Sequence, residues 1–322
     1  MVAVMRAAPF LALLAAAALP ACAGATYPER PIRLVVPYPP GGGTDIFARI
    51  FARALAERLG QNVIVDNRSG GGTILGTEIV ARAAPDGHTL LVNAAAFVIN
   101  PLLHAKPPYD PGKDFAHVMQ IAAVPNLLVA NAQLPARSLK ELIELARAQP
   151  GALSYGSTGV GTPGHLSGEL LRTMAAIQIT HVPYRGGGPL VPALISGEVK
   201  LSFVSLPAAL PHVKAGRIRA LGNASLKRSP AAPEVPAIAE TLPGFDASNW
   251  QGLFAPARTP AAIVRRLNAE LRAALESPEV AQQLAQNGFE PIGGTPEAFT
   301  KAIGAETAKW AAVIRASGAR AE

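Results

Sequence analysis

The chain has 322 residues, of which 49% are hydrophobic and 5% aromatic, and a formal net charge of +7. That is enough apolar material for two ordinary domains with real cores. Its cations are scattered, with Lys227-Arg228 and Arg265-Arg266 the only adjacent basic pairs after residue 25, and no aromatic residues interleave with them. A nucleic-acid-binding surface is therefore not expected; a solvated basic surface that helps gather anionic ligands is.

Residues 1–25 read as a secretory leader: a single cation at Arg6, an apolar run from Phe10 to Leu19 too short to span a membrane, then small residues. Ala23-Gly24-Ala25 fits a cleavage site that leaves a soluble chain starting at Thr26. Leu19-Pro20-Ala21-Cys22 instead resembles a lipoprotein box, which would leave a lipid-modified Cys22 at the new N-terminus. Both readings stay open, and both place the mature chain outside the cytoplasm. Cys22 is the sole cysteine, so no disulfide framework supports the folded body. No later stretch reaches the uninterrupted apolar length of a spanning helix.

The body alternates strands and helices. Ile32–Val36 reads as a strand, and residues 44–59 as a helix with Ile46, Phe47, Ile50, Phe51, Ala54, Leu55 and Leu59 at helical spacing, stopped by Gly60. A short buried strand at Val63–Val65, a helix at 73–84 and a strand at Thr89–Asn93 follow. Leu127–Ala130 starts a second series, with a Ser138/Glu141 capping box opening the next helix. Leu153–Tyr155, a helix over 165–176, Ile179–Pro183, a short helix near Pro189–Ile195, and strands at Val199–Val204 and Ile218–Gly222 complete it. Such alternation predicts mostly parallel sheets with helices on both faces. In the C-terminal third, Gly252–Ala255 reads as a crossing strand. Thr259-Pro260, Ser277-Pro278 and Thr295-Pro296 read as three helix starts, each a hydroxyl N-cap followed by proline. The last helix carries Phe299, Ala302, Ile303, Trp310, Val313 and Ile314 as a core stripe broken only by Glu306. These helices are expected to return over the first lobe.

Two glycine-rich turns, each after a strand and before a helix, hold the functional signal: Tyr38-Pro39-Pro40-Gly41-Gly42-Gly43-Thr44-Asp45 and Tyr155-Gly156-Ser157-Thr158-Gly159-Val160-Gly161-Thr162-Pro163-Gly164-His165. Glycine lets a ligand approach the main chain, and a helix N-terminus offers free N–H groups with a partial positive charge. Two such seats more than a hundred residues apart point to an anion held between two lobes. Enzyme motifs mostly fail. Ser157 lacks the glycine two residues before it that a nucleophile elbow needs, the six histidines show no zinc-ligand pairing, and His165 with Glu169 one turn on is a lone pair. Gly159, Gly161 and Gly164 do match a dinucleotide fingerprint, and Arg185 follows about twenty residues on. Against an NAD(P)-dependent oxidoreductase stand the missing acidic residue at the next strand's end, the stiff Pro163 and the secretory leader.

The series Pro37 to Asp45, Asp66-Asn67-Arg68, Pro85-Asp86-Gly87-His88-Thr89, Tyr155-Gly156-Ser157, His165-Leu166, His181-Val182-Pro183-Tyr184-Arg185-Gly186 and Trp250-Gln251-Gly252-Leu253-Phe254-Ala255-Pro256 resembles the Bug solute-binding proteins, the extracytoplasmic receptors of tripartite tricarboxylate transporters. The resemblance runs in order from about Tyr27 to the C-terminus. It implies a two-lobed periplasmic binding protein of type II, with lobe I formed by residues 26–123 and 225–322 and lobe II by residues 124–224. It implies a monomer that captures a small carboxylate in the cleft and delivers it to a membrane permease, without catalysis or cofactor; a periplasmic sensor would share fold and ligand.

Carried over residue by residue, the resemblance puts the ligand between Tyr38, Pro40, Gly41, Gly42, Gly43, Thr44 and Asp45 on one side and Ser157, Thr158, Gly161, Thr162 and His165 on the other. Backbone N–H groups, hydroxyls and bridging water would make the grip, since neither loop contains lysine or arginine. Asp45 is expected to orient its own loop. Tyr184 and Arg185 would form one wall, and Asn93, Ala94 and Ser205 would sit at strand ends. The chain departs from the resemblance at Asn93-Ala94-Ala95-Ala96, which has few donors, and at Phe203-Val204-Ser205, which lacks an acid that could meet an amino group. A carboxylate that is not an amino acid is the expected ligand.

Overall fold

In the computed structural model, which describes residues 27–320, the first glycine turn joins β1 (Ile32–Val36) to α1 (Gly43–Leu59). β2 (Val63–Asn67), α2 (Ile74–Ala81), β3 (Thr89–Asn93), α3 (Ala96–Leu103) and β4 (Phe115–Ala123) follow. The chain then crosses to β5 (Asn126–Asn131), α4 (Leu139–Ala148), β6 (Leu153–Ser157), α5 (Pro163–Met174), β7 (Ile179–Pro183), α6 (Gly187–Ser196), β8 (Leu201–Ser205), α7 (Leu206–Lys214) and β9 (Ile218–Asn223). It returns for β10 (Trp250–Pro256), α8 (Ala261–Leu275), α9 (Pro278–Gln286), β11 (Glu290–Pro291) and α10 (Pro296–Ser317). The leader and Cys22 lie outside the described residues.

Two mixed sheets result, ordered β11-β4-β10-β3-β1-β2 and β7-β6-β8-β5-β9. Each has a parallel trio, with β1 between β2 and β3 and β6 between β7 and β8, and one long reversed strand, β10 or β5, beside it. Helices cover both faces of each sheet. α1, α8 and α9 share a core with one face of the first sheet, and α3 and α10 with the other. The expected return of the C-terminal helices onto the first lobe is what the packing shows.

The two crossings lie side by side. Val124 N–H donates to Asn249 O at 3.0 Å, and Ala224 N–H donates to Asn126 O at 2.8 Å. Outgoing and returning chains thus form one hydrogen-bonded hinge beneath the cleft.

Several local expectations change. β2 is an edge strand rather than a buried one, and Ile64 is 56% exposed. The hydroxyl-proline rule holds at Ser277 and Thr295, whose side chains accept from Val280 N–H and Ala298 N–H. At Thr259 it fails: Pro260 is itself the N-cap, with ψ 135°, and α8 starts one residue later. The Ser138 cap forms, but the Glu141 carboxylate reaches back to Arg137 N–H rather than to the cap residue. Glu306, the break in the α10 stripe, accepts from both indole N–H groups, Trp310 Nε1 at 3.0 Å and Trp250 Nε1 at 3.2 Å. That carboxylate ties α10 to the start of β10.

Candidate functional site

Above the hinge, the first turns of α1 and α5 border one small pocket of about 70 Å³. Gly42, Gly43 and Thr44 line it from the first lobe, and Thr158, Pro163 and Gly164 from the second. Neither helix has a side-chain cap: Gly42 and Thr162 are the N-cap residues, and no side chain accepts from the first-turn amides. Those N–H groups stay open to a ligand, with the positive ends of both helices behind them. No Lys, Arg, His, Asp or Glu side chain lines this pocket. Its pull on an anion is that of backbone dipoles.

The first loop is held by Asp45. Its Oδ2 accepts from Gly41 N–H at 2.9 Å and from Arg49 Nε at 3.0 Å, and its Oδ1 accepts from Asn67 Nδ2 at 3.0 Å. Burial pushes the carboxyl up, but these bonds outweigh it and hold it below the ordinary carboxylate range. Asn67 Nδ2 also donates to Tyr38 O, which fixes the start of the loop. Asp45 therefore orients the loop from behind and does not line the pocket.

The second loop rests on a buried imidazole pair. His165 and His181 stack at 4.2 Å, and His181 in turn stacks on Tyr155. Ser157 is fully buried; its Oγ lies 2.7 Å from His181 Nε2 and accepts from Gly159 N–H. His165 Nδ1 accepts from Gly161 N–H, and the Thr162 hydroxyl donates to Gly159 O. Glu169 accepts from the Tyr155 hydroxyl and from Arg172. Burial first, then the neighbouring His165, lowers the His181 imidazole to about 4, with Glu169 opposing. Burial also lowers His165, again against Glu169. Both rings are neutral at pH 7 and serve as rigid packing.

An outer cleft of about 1060 Å³ adjoins the pocket, and Tyr38, Pro39, Thr158 and Gly186 line both. Thr162, His165, Tyr184 and Arg185 line the cleft, and Arg320 adds a second cation. The lobes touch across it. A Cβ at Gly186 would run into the Pro39 ring, one at Gly161 into Asn100 Oδ1, one at Gly72 into Val160 O, and one at Gly43 would fall 2.6 Å from Ser205 Oγ. These glycines sit where the two lobes meet, which describes a closed form. A Cβ at Gly164 would fall 2.8 Å from Phe203 O. Gly161 and Gly164 thus stand where the backbone is closely approached by neighbouring atoms.

Of the residues singled out in the sequence, Tyr38, Gly42, Gly43, Thr44, Ala94, Thr158 and Ser205 line the pocket. Pro40, Gly41, Asp45, Asn93, Ser157 and Gly161 line neither pocket nor cleft. Asn93 instead accepts from Tyr38 Oη and Ala94 N–H, and so supports the loop from below. Sequence reading passed over Asn126, Asn249 and Gln251, which line the pocket from the two hinge segments. The available signal was a carboxamide in an otherwise apolar buried strand.

Two α/β lobes, a paired hinge and opposed helix N-termini over a closed pocket define a two-lobed solute-binding protein. The sequence model of the tripartite tricarboxylate transporter family receptor matches residues 47–319, and the chain belongs to that family. BugT of Bordetella pertussis (strain Tohama I) is 39% identical over 298 residues, covering 92% of this chain and 91% of its own. An R. palustris protein solved with adipate superposes with a TM-score of 0.88 at 39% identity, covering 91% of this chain and 98% of that one. MatC from Rhodopseudomonas palustris, solved with bound malate, gives 0.85 at 34% identity, covering 89% and 100%. The chain is a solute-binding receptor of two-lobed fold. Among its described residues no helix is long and apolar enough to cross a membrane.

Proposed function

We propose that this receptor captures a small carboxylate in the periplasm and hands it to the membrane permease of a tripartite tricarboxylate-type transporter. One observation carries the reading: two helix N-termini without side-chain caps, one from each lobe, border a pocket lined by no charged side chain. A carboxylate there bonds amides from both lobes at once, so it binds the closed state better than the open one. The family relation and the adipate- and malate-bound relatives support the same chemistry. With no acid lining the pocket, an ammonium group has no counter-charge, which favours acids without an amino group. Residues 26–123 and 225–322 form the lobe containing α1, and residues 124–224 the lobe containing α5. Residues 1–25 direct export, the receptor acts as a monomer without cofactor or catalysis, and the closed form is what the permease reads. The test is a thermal-shift screen of the mature protein against mono-, di- and tricarboxylates, aspartate, glutamate, NAD and NADP. A ligand at a hundred times its Kd adds about 2.7 kcal/mol, a shift of several degrees. A shift with a carboxylate and none with nucleotides is expected. A shift with nucleotides alone would refute the reading.

A further inference from the structure

Asn126 and Gln251 are the buried polar side chains of the pocket that the grip on a carboxylate leaves unused. Asn126 is 4% exposed and Gln251 1%. Asn126 Nδ2 and Gln251 Oε1 are both buried without a hydrogen-bond partner. Buried carboxamides are almost always bonded, so a pair of exceptions in one pocket calls for a partner that binds there. Their positions sharpen this. Asn126 is the first residue of β5 after the outgoing crossing, and Gln251 the second of β10 after the returning one. The neighbouring Asn249 differs, because its Oδ1 already accepts from Ala95 N–H.

We propose that Asn126 and Gln251 together recognise a hydroxyl beside the ligand's carboxylate, so that this receptor takes a 2-hydroxy carboxylate. The inference rests on the carboxylate reading of the pocket. A carboxylate oxygen only accepts, and an ammonium only donates; either leaves one of the two orphan atoms unanswered. A hydroxyl accepts from Asn126 Nδ2 and donates to Gln251 Oε1. Turning both amides over exchanges the donor and the acceptor and leaves the complement unchanged. Size fixes the position of the hydroxyl. At about 70 Å³ the pocket is small beside the outer cleft of about 1060 Å³. It holds a carboxylate and the carbon next to it, and the remainder of the ligand must pass Tyr38 and Thr158 into the outer cleft. The amides thereby place the ligand's second polar group against both hinge strands.

The experiment is titration calorimetry of the mature protein with matched pairs, malate against succinate and lactate against propionate. The hydroxy acid should bind about 10- to 100-fold tighter than its deoxy partner, because the deoxy acid leaves both amides unpaired in the closed pocket. In Gln251→Leu the preference should fall to within about threefold. The ligand-free Tm of that variant should stay level or rise, since an unpaired buried amide has been replaced by an apolar group of similar size. Gln251→Met serves the same purpose should leucine disturb folding, and the wild-type comparison needs neither variant. Equal affinity within both pairs overturns the hydroxyl inference and leaves the carboxylate reading standing. Wild-type preference retained in both variants also overturns it. Binding of no acid at all removes both.

Discussion

Adding one methyl group at Gly43 tests whether closure, and not merely the loop, governs affinity. Gly43 opens α1 with ordinary negative φ, so alanine fits its backbone and is the better helix former by up to about 1 kcal/mol. The new Cβ would lie 2.6 Å from Ser205 Oγ, 3.1 Å from Ser205 Cβ and 3.5 Å from Pro207 Cγ. Comfortable contact between such atoms begins near 3.5 Å, so the lobes must part by roughly 1 Å. Overpacking of this kind costs about 1–3 kcal/mol. Gly43 and Ser205 belong to opposite lobes, so the cost falls on the closed form alone and appears as a loss of affinity of about 5- to 150-fold. Calorimetry gives the Kd, small-angle scattering the fraction closed, and thermal unfolding of the ligand-free protein the control, which should not fall. Pairing Gly43→Ala with Ser205→Gly empties the opposing space and should return affinity to within a few-fold of wild type. Unchanged affinity in the single variant refutes the reasoning. A double variant as weak as the single one shows that the methyl blocks ligand instead of closure.

Substitutions at two other residues probe the frame around the site. Glu306→Leu strips the acceptor from Trp310 Nε1 and Trp250 Nε1, in side chains 0% and 3% exposed, and should cost about 2–4 kcal/mol. Glu306→Gln, which keeps an acceptor oxygen, should lose less than half as much; equal losses in thermal unfolding would refute the shared-acceptor account. His181 makes stability depend on pH with a defined sign. Its folded value of about 4 lies below the ~6.5 of an unfolded histidine, so in that interval the unfolded chain binds a proton that the native one does not. Stability from this group is complete above pH 6.5 and falls as pH drops toward 4. In unfolding curves across that window His181→Gln should flatten the decline, and an identical slope in both proteins would contradict it.

What could be read from the chain followed the strength of local patterning. α1 was legible because a glycine run meets a long stripe at helical spacing, and its start at Gly43 differs by one residue from expectation. α3 and α7 were missed. The first is apolar all round with Pro101 inside it, and the second carries Pro207 and Pro211 among apolar residues, so neither shows the period that marks a half-buried helix. β4 was missed for a related reason: its alternating-site signal is blurred by burial on both faces, with His117 bonded to Thr300 and to Pro111 O. In the site, the loops announced themselves through glycine, yet several of their side chains turn away from the pocket. Ser157 looks like a ligand donor in a string of letters, and in three dimensions its oxygen holds the loop backbone, as that of Asp45 was expected to and does. The hinge amides carried the opposite handicap, since one polar letter in an apolar strand gives no hint that its partner lies 125 positions away, at the other crossing.

The carboxylate of Glu306 also gives the molecule an optical property. The chain has only two tryptophans, Trp250 and Trp310, and both indoles are hydrogen-bonded to that single side chain. All of the protein's tryptophan emission therefore arises from one spot, between the helix that ends the fold and the strand that leaves the hinge. Trp250 directly precedes Gln251, so a bend at the returning crossing changes the surroundings of a fluorophore already in place. Tryptophan emission on the unlabelled, unmodified chain is the signal expected to follow opening and closing.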